Sequence, residues 1–260
     1  MAKWDGFDFI SFKKKLDSIS KGLTSAIEEL SPNAITALSW NLTVGSTEKK
    51  AYDFIVPQRV GDINPDVVLL QQVDNDMARS IASMCHLVSG RSYHSAGEEN
   101  VRVLYDSKVF NLLQNSEEIG TGPGTSHYVA ATLRHKDRGM QITFMSFQSN
   151  PTDECDSTEM KQLATAFCEI VSRTAHERNT LVVAGVDLNF FANIPNGTPE
   201  RVIFNSGTHQ LILSDAQAKP DFKTLNIIPS TDRSFKEAYN DTHYQKSLKH
   251  VNPLLCSLSI

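Results

Sequence analysis

Cysteine is scarce in this chain. The four residues, Cys85, Cys155, Cys168 and Cys256, form no CxxC pair and no tight Cys–His spacing, so neither a zinc site nor a disulfide framework is expected. Cys168 falls in an apolar helical stripe and reads as a small buried hydrophobe. No apolar run approaches the roughly 18 residues that cross a bilayer, and the opening MAKWDGFDFISFKKK lacks the uninterrupted apolar stretch of a secretory signal. The expectation is an intracellular protein, cytoplasmic or nuclear, with no membrane partner; the sequons at Asn41, Asn196 and Asn240 are then chance matches. Positive charge is not in excess either. Lys and Arg number 25 against 30 Asp and Glu, a formal net charge of −5, so the surface as a whole repels a polyanion and strong non-specific binding to nucleic acid is not expected. The basic stretches Lys13 to Lys15, and Lys246 with Lys249 and His250, read as solvated surface. Internal repeats and low-complexity tracts are absent.

What remains is ordinary globular composition, 40% hydrophobic and 21% charged over 260 residues, enough for one domain with a continuous core. Phe12, Leu16, Ile19, Leu23, Ile27 and Leu30 recur at alternating spacings of three and four, which predicts an amphipathic helix ending at Ser31-Pro32. The chain is therefore read as an N-terminal helix within residues 1–33 and a domain over 34–260. The helix packs outside the domain or offers its face to a protein partner.

Beyond it, short apolar runs rich in β-branched and aromatic residues read as strands: Ile35 to Trp40, Val67 to Leu70, Val101 to Tyr105, Val129 to Leu133, Ile142 to Phe147 and Leu181 to Ala184. A helix is predicted from Asp156-Ser157 to just before Asn179, with Met160, Leu163, Phe167, Ile170 and Val171 on one face, and a second from about Asp74 to Met84. The Gly-rich stretch Glu117 to Ser126 lacks the spacing of a phosphate-binding loop and no helix pattern follows it, so it reads as a hairpin connection. Strands interleaved with helices, some joined by Gly-containing loops, predict two mixed sheets flanked by helices.

Four core runs end in polar residues, and sites are commonly built where strands give way to loops. They are Ser39-Trp40-Asn41-Leu42, Leu69-Leu70-Gln71-Gln72-Val73-Asp74, Phe147-Gln148-Ser149-Asn150 and Gly185-Val186-Asp187-Leu188-Asn189. Each polar residue alone has a structural reading as a turn or sheet-edge residue. In this order, with VLYDSKVF between the second and third, they resemble the motifs of the endonuclease/exonuclease/phosphatase superfamily, which holds DNase I-like nucleases and phosphatases. The resemblance covers about residues 34 to 260 and implies an α/β fold, a four-layer α/β/β/α sandwich of two mixed β-sheets.

It also implies roles. Asn41 matches an Asn that helps hold a divalent cation, and Gln72 stands where the family has a metal-binding Glu. Gln148 stands near a His or Tyr that contacts the scissile phosphate, with Asn150 beside it on the substrate side. Asp187 matches the Asp that activates water, and Asn189 an Asn that contacts phosphate. Asp221 resembles the Asp that orients a terminal His, and His250 that His, with Lys249 in place of an acidic neighbour. The implied cofactor is Mg²⁺ or Mn²⁺, bound weakly because Gln72 lacks the charge of Glu. The implied function is a divalent-metal-dependent phosphodiesterase or phosphatase, nuclease-like, with weakened or lost activity, whose partners are a phosphoester substrate or nucleic acid. The alternative is a catalytically inactive protein of the same fold that serves as a protein- or ligand-binding scaffold.

Overall fold

In a computed structural model, the residues described are 33–42, 49–98, 100–122, 126–149, 157–187, 202–206, 209–214, 220–224 and 253–258. The predicted N-terminal helix lies outside them. Strand β1 (Ile35–Asn41) lies parallel to β2 (Val67–Val73), and β8 (Gln141–Gln148) parallel to β9 (Leu181–Asp187). A parallel pair needs a crossover rather than a hairpin. Helix α1 (Lys49–Ile63) supplies the first and α3 (Ser157–Arg178) the second.

The remaining neighbours pair antiparallel. Around β1 and β2 a six-stranded sheet adds β3 (Tyr93–Glu98), β4 (Asn100–Asp106), β12 (Pro220–Thr224) and β13 (Leu254–Leu258), in the order β12-β13-β1-β2-β4-β3. Around β8 and β9 a seven-stranded sheet adds β5 (Phe110–Leu112), β6 (Glu118–Thr121), β7 (His127–His135), β10 (Val202–Ser206) and β11 (His209–Leu213). Strand β6 pairs with β7 from Glu118↔Ala130 to Thr121↔His127, so Glu118–Thr121 of the Gly-rich stretch is itself a strand of a hairpin with β7, where the sequence suggests only the connection.

Three apolar clusters hold the layers together. Ile35, Ala37, Val67, Leu69, Phe144 and Val183 meet between the sheets. Leu38, Trp40 and Leu70, on the opposite faces of β1 and β2, pack with Val60 of α1 and with Met77 and Ile81 of α2 (Asn75–Ser89). Met145, Phe147 and Val182 pack on Phe167 and Val171 of α3. Each central strand thus buries residues on both faces, which is why its sequence does not alternate apolar with exposed polar residues. Helix α2 starts where the Asp74 side chain accepts from the Met77 amide at 2.7 Å, and ends at Gly90, whose left-handed φ of 71° and bond to the His86 carbonyl close the last turn.

At the rim of the second sheet, Arg178 of α3 donates to the Glu118 carboxylate at 2.7 Å, and the Tyr128 hydroxyl donates to its other oxygen at 2.6 Å. Burial, with Glu118 beside it, pushes the Tyr128 phenol up to about 12. A phenol raised in the folded state stabilises fully below its unfolded value near 10, and that contribution is lost as pH rises through about 12. Tyr128→Phe is therefore expected to flatten the fall in stability between those two pH values, read by urea unfolding at each. An unchanged slope would mean that neither burial nor Glu118 holds the phenol above its ordinary value in solution.

Candidate functional site

The inward faces of four strands change character at one level. Reading along each, β1 presents Ile35 and Ala37, then Ser39 and Asn41. Strand β2 presents Val67 and Leu69, then Gln71; β8 presents Ile142 and Phe144, then Ser146 and Gln148; β9 presents Leu181 and Val183, then Gly185 and Asp187. Side chains two residues apart share a face, so the apolar filling between the sheets ends in polar rows at the C-terminal ends of both parallel pairs.

The outermost row brings four of the sequence-derived positions together. The Asn41 side-chain amide donates to the Asp187 carboxylate across the gap between the sheets. Gln148 lies in register beside Asp187, and its side-chain carbonyl accepts from the Gln72 backbone amide at 3.2 Å. Asp187 is fully buried, Gln148 and Asn41 nearly so, and Gln72 partly exposed.

Gln72 owes its place to an irregularity in β2. Gln71 pairs with Val101 and Val73 with the adjacent Asn100, so Gln72 is an extra residue with no partner in the ladder. Its φ is 54°, in the left-handed region. This is a β-bulge, a device that re-aims a side chain and recurs beside functional sites. Because of it Gln71 faces the interior while Val73 turns to the helices.

Other expected positions fall elsewhere. Asp221 is exposed on β12 and pairs with Ser257, which pairs with Thr36. That puts it five residues of β1 away from Asn41, about 17 Å at ~3.4 Å per residue. This geometry separates Asp221 from the other four. Asn150, Asn189 and His250 lie outside the described residues.

The sheet register adds two positions that the sequence reading passed over. His127 pairs with Gln148, and His209 with Asp187, so the row runs His127–Gln148–Asp187–His209 across four strands. Their signal in sequence was their phase: each is a strand-end polar residue in step with inward apolar ones.

A Mg²⁺ or Mn²⁺ ion prefers charged oxygen ligands. Of the four residues that converge, Asp187 is the sole carboxylate, and it already accepts the Asn41 amide. No cluster of three or more His, Cys, Asp or Glu side chains suited to a metal exists among the described residues. The described donor set does not fit a hard divalent cation.

No protein family and no curated protein matches the sequence. Solved structures do match. An endonuclease/exonuclease/phosphatase from Bacteroides vulgatus matches at a TM-score of 0.64 over 88% of this chain and 99% of that one, with 11% identity. TDP2 of D. rerio, complexed with a single strand DNA product, matches at 0.63 over 88% and 100%, with 12% identity. The human Nocturnin catalytic domain with a bound sulfate anion matches at 0.60 over 87% and 93%, again with 12% identity. The chain therefore has the DNase I-like sandwich fold of the endonuclease/exonuclease/phosphatase superfamily, the architecture its motifs resemble. At such identities the likeness is one of fold.

Proposed function

We propose that this chain binds a phosphoester at the polar end of its sandwich and hydrolyses it weakly or not at all. One observation carries the reading: of Asn41, Gln72, Gln148 and Asp187, three are amides and one is a carboxylate. Amides donate to phosphoryl oxygens, so binding can persist without formal charge. Hydrolysis is more demanding. It develops negative charge that a cation must offset and needs a base for the attacking water. Gln72 in place of a carboxylate removes charge where a Mg²⁺ or Mn²⁺ ion needs it, which lowers kcat more than binding. The phosphoester class is supported by the fold, since D. rerio TDP2 was solved with a DNA product and Nocturnin with sulfate. The net charge of −5 favours a small phosphoester over long nucleic acid.

The test compares the parent protein, Gln72→Glu and Asp187→Ala for Mg²⁺- and Mn²⁺-dependent hydrolysis of bis(p-nitrophenyl) phosphate and of plasmid DNA. The parent should lie near background. Gln72→Glu should raise a chelator-sensitive rate about tenfold, the equivalent of ~1.4 kcal/mol in transition-state stabilisation, and Asp187→Ala placed on top should abolish the gain. Rapid parent turnover that Gln72→Glu does not improve would make this an ordinary hydrolase. Silence in every variant, with no thermal shift on adding Mn²⁺ or inorganic phosphate, would leave the scaffold reading in its place.

A further inference from the structure

We propose that Gln71 is a positioning residue that locks the two sheets in register one row beneath the site, holding Asn41 and Asp187 against each other and Gln72 against Gln148. The inference rests on those four residues forming the site.

Ser39, Ser146 and Gly185 stand two residues before Asn41, Gln148 and Asp187, on the same inward faces. Into this second row the Gln71 side chain reaches from β2. Its Nε2 donates to the Ser146 hydroxyl at 2.9 Å and lies 3.3 Å from the Gly185 carbonyl, both on the opposite sheet. Ser146 in turn donates to the Leu70 carbonyl at 2.7 Å. The Ser146 hydrogen is therefore committed to β2, so its oxygen must accept, and only the NH₂ end of Gln71 can face it. The result is a directed chain that leaves β2, crosses to β8 and returns to β2.

Two further observations make this more than a satisfied core glutamine. A Cβ placed on Gly185 would lie 2.1 Å from the Ser39 hydroxyl oxygen and 3.1 Å from Leu69 Cβ. The sheets thus approach so closely at this row that β9 tolerates only a hydrogen there. Secondly, the Gln71 Oε1 atom is buried with no hydrogen-bond partner among the described residues. A leucine or methionine would fill the space without that unmet acceptor. A buried amide kept at such a cost specifies geometry, because an apolar contact can slide while a hydrogen bond to Ser146 cannot. A relative slip of the sheets would part Asn41 from Asp187, and Gln72 from Gln148, together.

Gln71→Met, of similar length but without the amide, and Ser146→Ala, which removes the partner on β8, separate positioning from space-filling. The readout is the set of side-chain NH₂ signals of Asn41 and Gln148 in ¹H–¹⁵N spectra of the full chain, alongside the melting temperature. Both variants should stay folded while those NH₂ signals shift or broaden, with backbone signals of β5, at the far edge of the second sheet, unmoved. Unmoved Asn41 and Gln148 signals in a folded Ser146→Ala protein would overturn the proposal, whether or not Gln71→Met folds. The spectra need no metal and no substrate, so a failure of Gln72→Glu to gain activity leaves this test intact and refutes only the hydrolase reading.

Discussion

Arg91→Met is expected to lower the unfolding free energy by about 2–3 kcal/mol, more than an exposed pair is worth and less than the loss of one partner from a fully buried one, because the Arg91 side chain is 18% exposed. The guanidinium sits at the end of the first sheet away from the candidate site. Its Nη1 donates to Asp66 at 2.8 Å and to Asp106 at 2.9 Å, and its Nε donates to Asn64 at 2.5 Å. Neither carboxylate can simply turn to solvent, because their side chains are only 13% and 4% exposed. Each also holds backbone: Asp66 accepts the Thr36 amide at 2.8 Å, and Asp106 accepts the Lys108 amide at 2.9 Å. Burial alone would pull the Arg91 pKa down, yet Asp66 and its neighbours outweigh burial and hold it above the ordinary value. Methionine keeps most of the apolar stem and leaves two carboxylates facing each other without a cation. Urea unfolding should show a lower midpoint at an unchanged slope. Adding Asp106→Asn to Arg91→Met should recover part of the loss, because it removes one of the two facing charges. A loss below about 1 kcal/mol would mean that the three groups behave as an exposed pair.

Much of this fold was legible in the sequence because the central strands are buried on both faces. Val67 to Leu70 and Leu181 to Ala184 are continuous apolar runs for that reason, and Ile35 to Trp40 is interrupted only by Thr36 and Ser39. Helix α3 was legible through its spacing. Helix α1 was not, because Pro57 lies inside it and a proline in a helical pattern ordinarily marks a break. Strand β3, YHSAGE, sits at a sheet edge with three of its six residues exposed, and carries too little apolar pattern to be seen.

The site divides along the same line. Asn41, Gln148 and Asp187 could be found from their own strands, since each is the last inward residue of an apolar run. The place of Asp221 could not, because it depends on which residue of β13 it pairs with, and the register sets it beside Ser257. The row from His127 to His209 and the contacts of Gln71 are likewise products of pairing between segments far apart in sequence. A motif states an order of residues, while the level at which they meet belongs to the ladder.

The bulge at Gln72 shows what such a ladder can impose on a residue, and it yields the second large effect. A side chain held at φ 54° suffers a clash of its Cβ that glycine escapes, about 1–2 kcal/mol for an ordinary residue. Gln72→Gly is therefore expected to gain up to about 1 kcal/mol, less than the full clash because glycine also loses more freedom on folding. Gln72→Val should lose about 1 kcal/mol or more, since a β-branched residue is among the worst suited to that region. The two variants should differ by about 2 kcal/mol in urea unfolding although both delete the same side-chain amide. Equal stabilities would mean that the extra residue relaxes out of the left-handed region once glutamine is gone. The expected order has a consequence for function. The Gln72 amide proton that binds Gln148 belongs to the backbone, so glycine keeps that contact and removes only the side chain. If phosphoester binding falls in the stabilised Gln72→Gly protein, the loss belongs to the glutamine side chain and not to a damaged fold, and the strain in β2 is then the cost of presenting it.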